Sequence, residues 1–170
     1  MVCNEGGIYC IKIQYIALMP SRIHTLDQHP ETANPSPHPC ELRFLTHRIS
    51  AGFPSPAADY AEEGLDLNEY LVRNKTATYM FTVRGDSMID AGIENGDKVV
   101  VDRSITPAND DIVVAVVNSE FTIKRLRKRR GCVELHAENP AYAPITFSDG
   151  SELQVWGVIV GVVRRYKARG

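Results

Sequence analysis

The stretch of sequence most informative about the fold is residues 112 to 126, which read IVVAVVNSEFTIKRL. The first six residues form a continuous apolar run rich in β-branched side chains, which is typical of a strand buried on both faces. The asparagine and serine that follow are residues that favour tight turns. Beyond them, alternation places Lys124 and Leu126 on one face of a second strand and Ile123 on the other. This stretch predicts an antiparallel hairpin.

Other short strands are predicted on both sides of this hairpin, separated by turn residues such as Asn95-Gly96-Asp97. One helix is predicted, and it opens at Asp66 because apolar residues recur there at helical spacing. The pattern therefore favours a mainly β, antiparallel fold with one short helix. The predicted strands are 77–84, 98–102, 112–117, 120–126, 132–137 and 152–163.

Residues 1 to 50 have a different composition, with four of the five histidines and several closely spaced prolines. Prolines at that density hold a chain extended, so residues 28 to 40 are predicted to be a linker. We expect a flexible N-terminal arm over residues 1 to 50 and a folded domain over residues 51 to 170. Because residues 8 to 19 could supply only one amphipathic helix, no N-terminal helix-turn-helix domain is expected.

Composition excludes several classes of protein. A net charge of −2 with 24% charged residues does not fit a general polyanion binder. The four cysteines form no close pair, so neither a disulfide scaffold nor a metal ribbon is expected, and no cofactor is predicted. The apolar stretch near the N-terminus is too short to span a bilayer and does not resemble a signal peptide. A reducing cytoplasm is the expected compartment.

Ser87 is a candidate nucleophile because it follows a predicted strand within the sequence Gly85-Asp86-Ser87-Met88. A sharp turn there would expose its hydroxyl, although a capping serine would have the same local sequence. A serine nucleophile also needs a nearby base, and His136 and Lys124 are the candidates. His136 could instead be a surface polar residue at the end of a strand.

Lys124 could act as a base only if its surroundings lower its pKa, since at its reference value only about one lysine in 2,500 is neutral at pH 7. An apolar wall formed by residues 112 to 117 would have that effect by desolvation. The alternative is that Lys124 is the first charge of the basic run 124–130, which reads KRLRKRR. That run is predicted to cross a hairpin turn. Three roles are open for it: a solvated tip, a nucleic-acid patch, or a partner of the acidic residues between 59 and 69.

The segment 51–56, AGFPSP, joins the predicted linker to the folded part. Small residues flank the Ala51-Gly52 bond, and the following prolines favour an extended chain. Proteases bind their substrates extended, so the segment is a candidate cleavage site. A simple domain boundary would have the same composition.

Together these segments resemble the self-cleaving serine peptidase family of LexA and UmuD (S24 type), and the UmuD branch most closely. The resemblance covers about residues 42 to 166, and the order and spacing of the motifs also agree with the family arrangement. The matching segments are AGFPSPAADY at 51–60, GDSMID at 85–90, DIV at 111–113 and EFTIK at 120–124.

This resemblance implies a LexA/UmuD-type peptidase fold in which Ser87 is the nucleophile and Lys124 the general base of a Ser-Lys dyad. It implies cleavage of the chain's own Ala51-Gly52 bond. For the oxyanion donors we select the backbone N–H groups around Asp86 and Ser87.

The resemblance also implies partners. Family members of the UmuD kind respond to a RecA filament on single-stranded DNA in the SOS response to DNA damage. Their shortened form is a homodimer that acts with a UmuC-type polymerase in translesion synthesis. Direct sequence-specific DNA binding and membrane attachment are not expected.

The chain departs from the family in two places. Residues 1 to about 40 have no counterpart in the short UmuD-like arms, and Met19 is an alternative start. Ala51 replaces the cysteine of the best-known UmuD and matches the LexA pattern instead. Two other functions stay open at this point: a non-enzymatic module that binds a polymerase or regulator, and a transcriptional regulator of SOS genes.

Overall fold

The computed structural model describes residues 13–15, 31–32, 41–45, 51, 62–129, 132–147 and 153–167. Most of these residues lie in strands, with one short α-helix and one 3-10 turn at Ile89–Ala91. The elements in chain order are β1 (Ile13–Tyr15), β2 (Glu31–Thr32), β3 (Glu41–Leu45), β4 (Glu62–Asp66), α1 (Leu67–Leu71), β5 (Thr78–Thr82), β6 (Lys98–Asp102), β7 (Ile112–Val117), β8 (Glu120–Arg129), β9 (Cys132–His136), β10 (Ile145–Thr146) and β11 (Leu153–Val163).

Nine of the described strands form one sheet in the order β10-β9-β8-β7-β11-β6-β5-β2, with β1 beside β11. Every pairing along that order is antiparallel, and only the pairing of β1 with β11 is parallel. Strands β3 and β4 form a separate antiparallel pair. The prediction of a mainly antiparallel β fold with one short helix is confirmed.

Strand β7 lies in the interior of the sheet and is covered on both faces. Val113, Val114 and Ala115 are consecutive and all buried. Val113 and Ala115 belong to an apolar cluster on one face, whereas Val114 belongs to a second cluster that includes Trp156. This confirms the prediction from the β-branched run, because alternating side chains could be buried together only if both faces are packed.

Strand β11 joins the two halves of the sheet. Its first part pairs with β7 and its second part with β6, and the register shifts once within each pairing. Gly157 lies at one of these irregularities, where a Cβ atom would stand 2.7 Å from Val101 Cγ1. A glycine is therefore needed for β11 to approach β6 this closely.

The helix begins where the sequence predicts, because the Asp66 side chain accepts a hydrogen bond from the Asn68 N–H at 2.8 Å. The bounds of β6 and β7 also agree with the prediction. Strand β8 is longer than predicted and runs to Arg129. The basic run therefore lies along β8 as far as Arg129, which pairs with Cys132 of β9, and Arg130 lies outside the described residues.

No helix in the described part of the chain is both long enough and apolar enough to cross a membrane.

Candidate active site

Ser87 lies in the turn between β5 and the 3-10 turn. Gly85 has a φ of 99°, a conformation that favours glycine, and its N–H donates to Asn95 Oδ1 at 3.0 Å. On the other side of the serine, Met88 is 2% exposed and packs into the apolar core. The turn is thus held on both sides of Ser87, while the serine itself remains partly accessible.

Lys124 comes from β8, where it pairs with Val113 of β7. It is only 7% exposed, and its Nζ donates to Ser87 Oγ at 2.8 Å. Further hydrogen bonds from Nζ reach Ile123 O at 2.9 Å and Thr122 Oγ1 at 3.2 Å. The two residues selected from the sequence therefore touch, although 37 positions separate them along the chain.

Burial lowers the pKa of Lys124, since desolvation disfavours the ammonium form. Among the described residues no carboxylate lies within ion-pair distance of Nζ to oppose this effect. All three acceptors around Nζ are uncharged oxygen atoms. The neutral amine, which is the form that can accept a proton, is therefore reached at a lower pH than for an exposed lysine.

A cavity lined by both polar and apolar residues opens beside Ser87. Its walls come from the end of β5, the turn that follows, and the neighbouring strands β7 and β8. The cavity leaves room beside the serine for an extended segment of chain. The lining residues are Phe81, Thr82, Val83, Arg84, Gly85, Ser87, Met88, Val114, Phe121, Thr122 and Ile123.

The peptide group between Asp86 and Ser87 is held from a distant part of the chain. Its carbonyl oxygen accepts a hydrogen bond from Asn139 Nδ2 at 3.0 Å, and the Asp86 carboxylate accepts one from the Tyr142 hydroxyl. Within the described ranges, the N–H groups of Asp86 and Ser87 donate to no acceptor. They are therefore available to an oxygen atom of a ligand.

His136, the other candidate base, is engaged elsewhere. Its Nε2 lies 2.6 Å from Glu134 Oε2, on the same strand. None of the described hydrogen bonds links His136 to Ser87, so the structure brings Lys124 and not His136 to the serine.

The cations of the basic run are bound within the domain. Arg125 pairs with Glu138, Arg127 pairs with Asp110, and Lys128 Nζ donates to the Pro107 carbonyl at 2.7 Å. These partners differ from the acidic residues between 59 and 69 that the sequence suggested. From Arg125 to Lys128 the cations of the run are therefore paired within the domain and do not form an open cationic patch, whereas Arg129 is exposed at the end of β8 and Arg130 lies outside the described residues.

Only one of the two residues of the predicted cleavage bond lies in the described part of the chain. Ala51 is exposed and lies in a bend. Gly52 lies outside the described residues, so the position of this bond relative to Ser87 stays a prediction.

Sequence reasoning missed Asn139 and Tyr142. The pair Asn139-Pro140 indicated only the end of a strand, and Tyr142 follows it in a short loop with no periodic pattern. Their hydrogen bonds to Asp86 span 53 and 56 positions, and no local signal could reveal them.

Comparison with known proteins gives one family and several relatives. A family model described as Peptidase S24-like matches residues 43 to 160. Protein SamA of Salmonella typhimurium is 44% identical over 125 residues, which cover 74% of this chain and 86% of SamA. Protein MucA of Escherichia coli is 45% identical over 120 residues, covering 69% of this chain and 81% of MucA. Protein ImpA of Shigella flexneri is 41% identical over 135 residues, covering 78% of this chain and 91% of ImpA.

Proposed function

This chain belongs to the S24-like peptidase family, which supports serine peptidase activity, and we propose that it cleaves its own Ala51-Gly52 bond with a Ser87-Lys124 dyad. The family membership confirms the resemblance drawn from the sequence motifs. The observation that carries the proposal is the 2.8 Å hydrogen bond between Lys124 Nζ and Ser87 Oγ in a buried setting. This hydrogen bond supports the proposal because the hydroxyl of the nucleophile is already in contact with the amine of the base.

In the first half of the reaction, neutral Lys124 takes the hydroxyl proton of Ser87 as Oγ attacks the carbonyl carbon of Ala51. The oxygen of that carbonyl gains negative charge, which the N–H groups of Asp86 and Ser87 stabilise. The tetrahedral intermediate collapses when the Lys124 ammonium protonates the leaving amine of Gly52. An ester then links Ala51 to Ser87.

In the second half, Lys124 is neutral again and removes a proton from water. The water oxygen attacks the ester carbonyl, and Ser87 leaves with the proton that Lys124 returns. The products are residues 1–51 with a new carboxylate and residues 52–170 with a new amine. Because the substrate is part of the same chain, its effective concentration at the dyad replaces substrate affinity.

The two-part organisation into an arm, residues 1 to 50, and a peptidase domain, residues 51 to 170, belongs to this proposal. So does the biological setting, which the resemblance to UmuD supports. In this proposed setting, a RecA filament on single-stranded DNA stimulates cleavage of this chain. Residues 52–170 then form a homodimer that joins a UmuC-type polymerase in translesion synthesis. Stimulation of this kind shifts the population toward the cleavage-competent conformation.

The test is incubation of the purified full chain at mildly alkaline pH, with product masses read by mass spectrometry. We expect wild type to yield residues 1–51 and 52–170, and Ser87→Ala and Lys124→Ala to remain intact. His136→Ala is the matched control, which should cleave like wild type. Absence of cleavage in wild type, even with a RecA filament and single-stranded DNA, would overturn the peptidase proposal in favour of a non-enzymatic binding module.

A further inference from the structure

We propose that Asn139 is a positioning residue that orients the Asp86–Ser87 peptide group, so that the N–H of Ser87 points at the developing oxyanion. This inference rests on the proposed function, since it concerns the same site. It assigns a role to a side chain that touches neither Ser87 Oγ nor Lys124.

The orientation of the Asn139 amide is fixed at both of its polar atoms. Its Oδ1 accepts a hydrogen bond from the Ala141 N–H at 3.0 Å, and its Nδ2 donates to the Asp86 carbonyl at 3.0 Å. Exchanging the two atoms would place a donor against the Ala141 N–H and an acceptor against a carbonyl. Only the observed orientation satisfies both partners.

A peptide group is planar, and its C=O and N–H bonds point in opposite directions when it is trans. The structure contains no cis peptide bond among its described residues. The Asp86 carbonyl also accepts a hydrogen bond from the Ile89 N–H at 3.3 Å, so Asn139 supplies the shorter of the two bonds and the one that comes from outside the turn. Holding this carbonyl also holds the Ser87 N–H, which donates to no described acceptor. A donor on the carbonyl oxygen further polarises the peptide group and strengthens the hydrogen bond that its N–H can give.

The rest of the segment from Glu138 to Tyr142 supports the same arrangement. The Glu138 carbonyl accepts from the Asp90 N–H at 2.9 Å, and the Glu138 carboxylate pairs with Arg125. Arg125 follows Lys124 in β8. One segment thus connects the turn that carries the serine to the strand that carries the lysine.

The experiment measures the first-order rate of self-cleavage of the full chain as a function of pH. For Asn139→Ala we expect a plateau rate lower by roughly tenfold or more, since loss of a direct oxyanion donor costs about 100- to 1,000-fold and this effect is indirect. The apparent pKa of the profile should not change, because Lys124 keeps its surroundings. Asn139→Asp retains the acceptor for Ala141 but replaces the donor with a charged oxygen that repels the Asp86 carbonyl, so its rate should fall at least as far.

Asn109→Ala is the matched control, because Asn109 also makes side-chain hydrogen bonds in an exposed loop but contacts Lys128 and Asp110. Its rate should stay within about twofold of wild type. Tyr142→Phe removes the bond to the Asp86 carboxylate without touching the peptide group, and a smaller loss is expected. An equal loss in Tyr142→Phe and Asn139→Ala would overturn the inference, since it would indicate general anchoring of the turn.

A second readout does not depend on how the arm binds. Labelling of Ser87 by a small fluorophosphonate, followed by mass spectrometry, also forms a tetrahedral centre that needs the oxyanion donors. Labelling of Asn139→Ala should slow by a similar factor. Slow cleavage with normal labelling would overturn the inference, because Asn139 would then act on arm binding. Failure of the proposed function itself would differ, since wild type would neither cleave nor label.

Discussion

At the scale of the residue, the site depends on one side chain whose charged form is disfavoured. Lys124 is nearly fully buried, and the oxygen atoms around its amine carry no formal charge. Burial without a counter-ion lowers the pKa of a lysine, in contrast to an ion pair, which would raise it. The burial that disfavours the ammonium form of Lys124 also allows its amine to act as a base.

The pH dependence of cleavage follows from this shift. The folded protein lowers the pKa of Lys124, so the neutral fraction increases at a lower pH than for a free lysine. We expect the rate to rise with pH and level off at an apparent pKa below 10.5. Lys124→Arg should be inactive across the range, because a guanidinium does not release its proton in a protein. A cleavage rate that does not change between about pH 6 and pH 10 would contradict the lysine mechanism.

Burial of Lys124 also makes stability depend on pH. A lysine whose pKa is lower in the folded than in the unfolded state binds fewer protons when folded, so folding becomes more favourable as pH rises between the two values. The free energy of unfolding of wild type relative to Lys124→Met should therefore increase with pH up to about 10.5. Urea denaturation of both proteins at several pH values measures this difference. A difference that stays constant with pH would show that Lys124 keeps its ordinary pKa.

At the scale of the element, strand β11 limits which side chains fit where it approaches β6 closely. It crosses from β7 to β6 where Gly157 approaches Val101 and the Asp102 carbonyl. Val101 is fully buried, so it has little room to move. The close approach is thus fixed by backbone and core atoms and not by flexible surface side chains.

Gly157→Ala should therefore destabilise the protein by about 1–3 kcal/mol, the usual cost of overpacking a core. Gly161→Ala in the same strand is the matched control, because its added Cβ would lie 3.2 Å from the side-chain end of Leu71. The Leu71 side chain can shift, so the loss of stability should be smaller for Gly161→Ala. Urea denaturation gives both values, and a Gly157→Ala protein as stable as Gly161→Ala would contradict the close approach.

Elements differed in how far the sequence could predict them. The bounds of β6 and β7 were predictable because continuous apolar runs end at turn residues, and α1 because Asp66 caps it. Strands β2 and β10 have two residues each, which is too short for any periodicity. Ser87 and Lys124 could be selected from the resemblance of their motifs and spacing to a known family, whereas the hydrogen bond from Asn139 to Asp86 joins distant loops and leaves no such pattern.

At the scale of the whole molecule, the core formed by the described residues lies within the proposed product. The residues of both apolar clusters fall between Tyr79 and Ile159. The strands before residue 52, by contrast, add backbone pairing to β11, β5 and β4. Both described apolar clusters thus lie in the part of the chain after Ala51.

We therefore expect a protein of residues 52–170 to fold cooperatively on its own, since apolar burial supplies most of the stability. Backbone amides of β5 that face β2 in the full chain should exchange with deuterium faster in the shortened protein, because that edge is then uncovered. Thermal unfolding and hydrogen exchange check both points, with full-length Ser87→Ala as the uncleaved reference. A shortened protein without cooperative unfolding would show that the arm is needed for folding.

Strands β3 and β4 lie on opposite sides of the proposed cleavage bond and pair from Glu41 with Asp66 to Leu45 with Glu62. Hydrolysis would therefore nick a hairpin whose two halves are still held together by hydrogen bonds. Breaking the bond and losing the arm would then be separate events, each with its own rate. Under the proposed function, hydrolysis would be irreversible, and dissociation of the paired arm would set any delay before residues 52–170 are released.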